Sequence, residues 1–98
     1  MLLNLSNHPS SNWPDAQRRA ALDQYGEIQD LAFPQIPPET DTDGVRQIVE
    51  EYEIKIRKLA VTHPGLTVHI MGELTFTHLL VNSLLRIGIP CVASTTER

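Results

Sequence analysis

The chain of 98 residues is 41% hydrophobic and 20% charged, an ordinary globular composition that makes one domain burying somewhat under two thirds of its unfolded surface and excludes intrinsic disorder. Its net charge of −4 argues against a broad electrostatic grip on DNA or RNA, which needs many phosphate contacts. No apolar run approaches membrane-spanning length, and the start MLLNLSNHP lacks the basic region of a secretory signal; a cytoplasmic protein is expected.

Met1 to Ser6, MLLNLS, is a short and mainly apolar run, as a central parallel strand requires. A polar loop, Asn7 to Asn12, follows. Pro14 fits the first turn of a helix, Asp15 suits its positive end, and Gly26 stops it after Tyr25. That helix offers Ala16, Ala20, Ala21 and Leu22 as its apolar face, which is thin. Glu27 to Phe33 reads as a second strand with polar residues interleaved, more an edge than a centre. PQIPPETDTD is an extended connector to a second helix, capped by Thr42 or a neighbouring Asp. In this helix Val45, Ile48, Val49, Tyr52, Ile56, Leu59 and Ala60 hold the helical spacing with hardly a gap, and His63-Pro64-Gly65 ends it.

Leu66 to Ile89 is a strand-to-helix unit: a buried strand to Met71, a tight turn at Gly72, and a helix from about Glu73 to Arg86 closed by Gly88. Ile89 to Ala93 makes a fourth strand, before the terminal STTER. The single cysteine, Cys91, excludes an internal disulfide and, in GIPCVAS, reads as a buried structural thiol. The fold class is therefore α/β, a small Rossmann-like domain over residues 1–98 with a four-stranded parallel sheet in the order 2-1-3-4 flanked by three helices. Only the first helix covers one face in that arrangement. Apolar surface beneath strands three and four is then expected to be exposed, and with it a homodimer.

Ligands of such sheets sit outside the carboxyl ends of the strands where the strand order reverses. Those ends carry SNHPSSN, MGE and STTER. The candidate ligand-binding residues are Ser6, Asn7, His8, Ser10, Ser11, Asn12, Met71, Gly72, Glu73, Ser94, Thr95, Thr96 and Arg98, with Glu97 beside them. Gly72 has no Cβ, so a ligand can approach its backbone, and the helix that follows favours an anion. Hydroxyls and backbone amides bind phosphate or ribose, and Arg98 adds a fork of donors. No lysine lies in any of these loops, which favours hydrogen-bond recognition of a nucleotide over an electrostatic clamp.

Two residues stand as catalytic candidates. His8 is a loop imidazole suited to acid-base work, against the plainer reading of a solvated side chain. Glu73 either serves as a general base or ribose acceptor, or is a helix-start carboxylate, at even weight. His69 and His78, inside a strand and a helix, read as packing residues, and Trp13 either stacks on a base or joins the core. A metal site of His8, Glu73 and His78 has no support in spacing, since neither HExxH nor a cysteine pair is present. The absence of GxGxxG, GxxxxGK[ST] and GxSxG disfavours dinucleotide, ordinary triphosphate and hydrolase sites. No cofactor is expected.

NLSNHPSSNWP, HIMGELTFTHLLVNSLL and CVASTTER together resemble small standalone accessory proteins of type III CRISPR systems, the Csx type with a CARF-like (CRISPR-associated Rossmann) fold, over nearly the whole length. The resemblance implies binding of a cyclic oligoadenylate, cyclic tetra-adenylate first, across a dimer dyad. The messenger would be lowered by sequestration, as a sponge, or by metal-independent ring-nuclease cleavage in which a ribose 2′-hydroxyl attacks the phosphodiester. The ligand loops it implies are Ser6 to Asn12, Met71 to Glu73 and Ser94 to Arg98, with His8 or Glu73 moving protons. Relatives are expected to continue beyond STTER, where a terminal strand or lid would sit. Two other readings are a nucleoside-processing enzyme with Glu73 as nucleophile and a structural dimerisation module.

Overall fold

The computed structural model describes residues 1–93. Four parallel strands, β1 (Leu2–Ser6), β2 (Ile28–Ala32), β3 (Thr67–Met71) and β4 (Cys91–Val92), form one sheet in the order β2-β1-β3-β4. Helices α1 (Asp15–Tyr25), α2 (Thr42–Thr62) and α3 (Leu74–Arg86) make the crossovers. The fold is the expected small Rossmann-like α/β domain. None of the described helices is long and apolar enough to cross a membrane.

Alternation along the strands divides the molecule. Leu3, Leu5, Val68 and Ile70 point to one face, where Val45, Val49, Tyr52 and Ile56 of α2 and Phe76, Leu80 and Leu84 of α3 close the main core. Phe33, Phe76 and Tyr52 stack edge to face, with ring centroids 5.1 and 5.4 Å apart. The opposite face has a second, small cluster of Leu2, Trp13 and Ala21 with Tyr25 and Ile28 beside it. Of the four apolar positions expected on α1 only Ala21 is buried, and Leu22 remains 39% exposed. The bulk comes instead from Trp13, 8% exposed, in the loop before the helix. Trp13 is a core residue.

The element ends follow from backbone hydrogen bonding. Gly26 takes a left-handed φ of +81°, which ends α1 without steric cost. Asp41 caps α2, its carboxylate accepting from Gly44 N–H at 2.8 Å. The fourth strand, expected over Ile89 to Ala93, pairs only through Cys91 and Val92. Pro90 cannot donate to the ladder, and only its carbonyl takes part, accepting from Val68 N–H at 2.9 Å. Cys91 is half-buried, and burial pushes its thiol pKa up, as suits a structural role.

The expected apolar surface beneath strands three and four is not what the α1 side of β3 presents. Its residues there are Thr67, His69 and Met71, the first two buried. Among the described residues Met71 and Val92 leave apolar surface open there.

Gly72 has a packing reason. A Cβ built on it would overlap the Phe33 ring, which lies against the turn between β3 and α3. That side of the turn is closed by protein and does not face a ligand. Gly72→Ala is expected to destabilise the fold by about 1–3 kcal/mol through overpacking, and to cost measurably less in a Phe33→Leu background because the clash is shared. Urea denaturation of the four proteins checks this; equal costs in both backgrounds would remove Phe33 as the cause.

Candidate functional site

The centre of the site is a row of polar residues running across three strands. The parallel register sets Asp30 of β2 beside Asn4 of β1, and Asn4 beside His69 of β3. All three point to the α1 face. Asn4 is 1% exposed and His69 6%. The Asn4 amide nitrogen donates to Asp30 Oδ1 at 2.9 Å and to the His8 carbonyl at 2.9 Å. Its oxygen accepts from the Ser6 hydroxyl at 2.9 Å and meets His69 Nδ1 at 3.0 Å.

This arrangement fixes the orientation of the Asn4 amide. A carboxylate and a carbonyl only accept, so the Asn4 NH₂ must face Asp30 and His8, and the Asn4 oxygen must face Ser6 and His69. His69 Nδ1 therefore donates to the Asn4 oxygen. Burial holds the His69 pKa below its ordinary value. Burial raises the Asp30 carboxyl, but hydrogen bonds from Asn4, Ser10 N–H and the Ser10 hydroxyl outweigh it and leave the pKa lowered.

The same network folds the loop after β1. Ser10 donates to Asp30 through its backbone N–H at 3.1 Å and through its hydroxyl at 3.0 Å. Residues Ser10–Asn12 form a single 3₁₀ turn. Trp13 Nε1 donates to the His8 carbonyl at 3.1 Å, and the Trp13 ring lies edge-on to His69, centroids 5.3 Å apart. Against this frame opens a cavity of about 290 Å³, lined by Ser6, His8, Asn12, Trp13, Pro14, Gln17, His69 and Met71. It lies outside the carboxyl ends of β1 and β3, where the strand order reverses.

Of the residues expected at the site, Ser6, His8, Asn12 and Met71 meet in this cavity. Ser10 is turned to Asp30. Asn7 and Ser11 are exposed on the loop and outside the lining. Glu73 is elsewhere. It lines a separate cavity of about 190 Å³ with Pro37, Thr40, Val45 and Thr75, on the α2 and α3 side of the sheet. Both its oxygens are engaged as the N-cap of α3, accepting from Thr75 and Phe76 N–H at 2.8 Å each. Those hydrogen bonds, Phe76 first, lower its pKa. His8 and Glu73 are therefore not brought together, and the cap accounts for a carboxylate at that position. Ser94, Thr95, Thr96, Glu97 and Arg98 lie outside the described residues. Among the described residues no group of His, Cys, Asp or Glu is arranged to hold a metal.

Asn4, Asp30 and His69 were missing from the sequence-based site. A signal existed: each is the third residue of a five-residue strand, and each interrupts an otherwise apolar or interleaved run. Only the register shows that the three interruptions are neighbours.

A four-stranded parallel sheet in this order, with a crevice at its reversal point, is a small Rossmann-like domain. The chain belongs to the family described as Uncharacterized protein MJ1673 family, whose model matches residues 1–98. No curated protein and no solved structure matches it.

Because the folded Asp30 pKa is depressed, its carboxylate stabilises the fold above the ordinary carboxylate range, near pH 4, and that contribution is lost as pH falls through the lowered value. Wild type is expected to be more stable than Asp30→Asn at pH 7, with the gap closing below about pH 4. Urea unfolding from pH 3 to 7 checks it; a gap constant over that range means the carboxylate charge is not what the network holds.

Proposed function

We propose that the protein binds a cyclic oligoadenylate, cyclic tetra-adenylate first, and lowers that second messenger of type III CRISPR defence in the cytoplasm, by sequestration, by slow metal-independent ring opening, or by both. The observation that carries the reading is the SNHPSSN loop: the segment bearing the likeness to the Csx-type proteins forms the rim of the cavity at the strand-order reversal. Among the described residues the lining offers hydroxyl, amide, imidazole and indole groups and contains neither lysine nor arginine. Hydrogen-bond and stacking recognition of a nucleoside suits that lining better than charge-driven capture of phosphate.

Size supports a shared ligand. At about 290 Å³ the cavity is at the low end of small-molecule sites, about 300–1,000 Å³, and takes one nucleotide unit and not a ring of four. Two protomers about a two-fold axis would offer a cyclic ligand two equivalent cavities. In ring opening, the cavity would hold the 2′-hydroxyl in line with its phosphodiester; its oxygen would bond to phosphorus as the P–O5′ bond breaks, leaving a 2′,3′-cyclic phosphate and a 5′-hydroxyl, with His8, exposed at the rim, taking the 2′-hydroxyl proton and solvent supplying one to the 5′-oxygen.

Calorimetric titration with cyclic tri-, tetra- and hexa-adenylate tests the reading. One ring size is expected to bind with one ligand per two protomers. Chromatography of the ligand recovered after denaturation separates the modes: intact ring means a sponge, linear product over many turnovers a ring nuclease. If none of the three rings binds, the reading fails.

A further inference from the structure

Resting on the cyclic oligoadenylate reading above, we propose that Asn12 is the base-selecting residue of the cavity. Its carboxamide pairs with the N6 and N7 edge of one adenine, Oδ1 accepting from the N6 amino group and Nδ2 donating to N7, with Ser10 and Asp30 as its positioning residues.

The loop between β1 and α1 is rich in polar side chains, and most of them are engaged or turned away. Ser6 donates to Asn4, Ser10 is tied to Asp30, and Asn7 and Ser11 are exposed outside the lining. His8 and Asn12 are left. Both line the cavity, and neither side chain has a hydrogen-bond partner among the described residues. Of the two, only the carboxamide presents a donor and an acceptor side by side in one plane. Adenine shows the matching pair, a donor at N6 next to an acceptor at N7. Guanine and hypoxanthine carry two acceptors there, so a carboxamide turned either way sets its own oxygen against one of them.

The backbone separates Asn12 from an ordinary solvated loop residue. Asn12 ends the 3₁₀ turn Ser10–Asn12, whose first residue is held to Asp30 through its N–H at 3.1 Å and its hydroxyl at 3.0 Å. The Asn12 N–H donates to the Pro9 carbonyl at 2.9 Å. On the other side Trp13 is buried, its N–H donating to the Ser10 carbonyl at 3.2 Å and its indole to the His8 carbonyl at 3.1 Å. The main chain is thus fixed before and after Asn12 while the side chain stays unengaged. A base docking there finds the backbone already ordered, and one side chain remains to be immobilised.

Three rings test the contact: cyclic tetra-adenylate, its analogue with hypoxanthine at every base, and its analogue with 7-deaza-adenine at every base. Each is titrated into wild type, Asn12→Ala and Asn12→Asp; Asn12 is exposed, and circular dichroism checks the fold of each variant. Wild type is expected to disfavour both analogues by about tenfold to a hundredfold, a hydrogen bond being lost in each of two cavities. Asn12→Ala should bind all three alike. Equal affinities in wild type, or the wild-type preference kept in Asn12→Ala, overturn the proposal. Asn12→Asp keeps the N6 contact but sets a carboxylate oxygen against N7, so it should prefer the 7-deaza ring, whose C–H replaces that lone pair. Continued preference for adenine over 7-deaza-adenine overturns it as well. Ser10→Ala, which removes one tie to Asp30, is expected to weaken the adenine ring more than the hypoxanthine ring; an equal loss for both overturns the positioning role. If no ring binds, the function proposed above falls, and adenosine monophosphate and its 7-deaza analogue at millimolar concentration read the contact alone by NMR. Asn12 side-chain amide signals shifted more by the first than by the second support it, and signals unmoved, or moved equally by both, overturn it.

Discussion

The hydrogen bonding of one buried amide governs the whole α1 face. Asn4 sits in the middle of the central strand and has all four of its hydrogen-bonding positions engaged, by Asp30, His8, Ser6 and His69. Burying an amide without partners costs about 1–3 kcal/mol for each group left unsatisfied, so the four partners are bound to it as firmly as it is to them. The loop after β1 is placed by this requirement. Its His8 carbonyl is drawn down to Asn4 and Trp13, and Ser10 is tied to Asp30. The rim of the cavity is thus held from inside the sheet, with no cation involved among the described residues.

The cavity exists because α1 is poor in large side chains. Ala16 and Ala20 are exposed and Ala21 alone is buried on that helix, so the helix cannot fill the space beside β3. On the other face α2 and α3 contribute seven buried residues, among them Phe76, Ile56, Leu80 and Leu84 at 0% exposure, and the packing is complete. The second cavity lies at the margin of that face, under the proline-rich connector. One face of the sheet is closely packed, and the other keeps a cavity.

Most of the fold was legible in the chain. Apolar spacing located α2, Pro14 and Gly26 bounded α1, and right-handed crossovers led from the β-α alternation to the observed strand order. The site was legible only in part. The loop residues Ser6, His8 and Asn12 stood out as polar groups at a strand end, and they do line the cavity. Glu73 had two readings, a ligand or proton contact and a helix-start carboxylate, and only the structure shows both its oxygens taken by Thr75 and Phe76 N–H. Gly72 looked like an opening for a ligand because its neighbour, Phe33, is remote in sequence and adjacent only in space. His69 read as packing because a histidine in a buried strand has no meaning until the residues beside it on other strands are known.

The row also bears on how the strands find one another. On the α2 and α3 side β1 and β3 present aliphatic residues at every second position, Leu3 and Leu5 beside Val68 and Ile70, and sliding one strand by two residues would exchange one aliphatic contact for another. Such a surface tolerates misalignment. On the α1 side the same slip would set Asn4 against Thr67 or Met71 and break the buried contact between the Asn4 amide and the His69 imidazole. A polar pair buried at mid-strand, Asn4 and His69, therefore rejects the displaced pairings that greasy complementarity alone would accept, and the correct alignment of these two strands is chosen by their least hydrophobic residues.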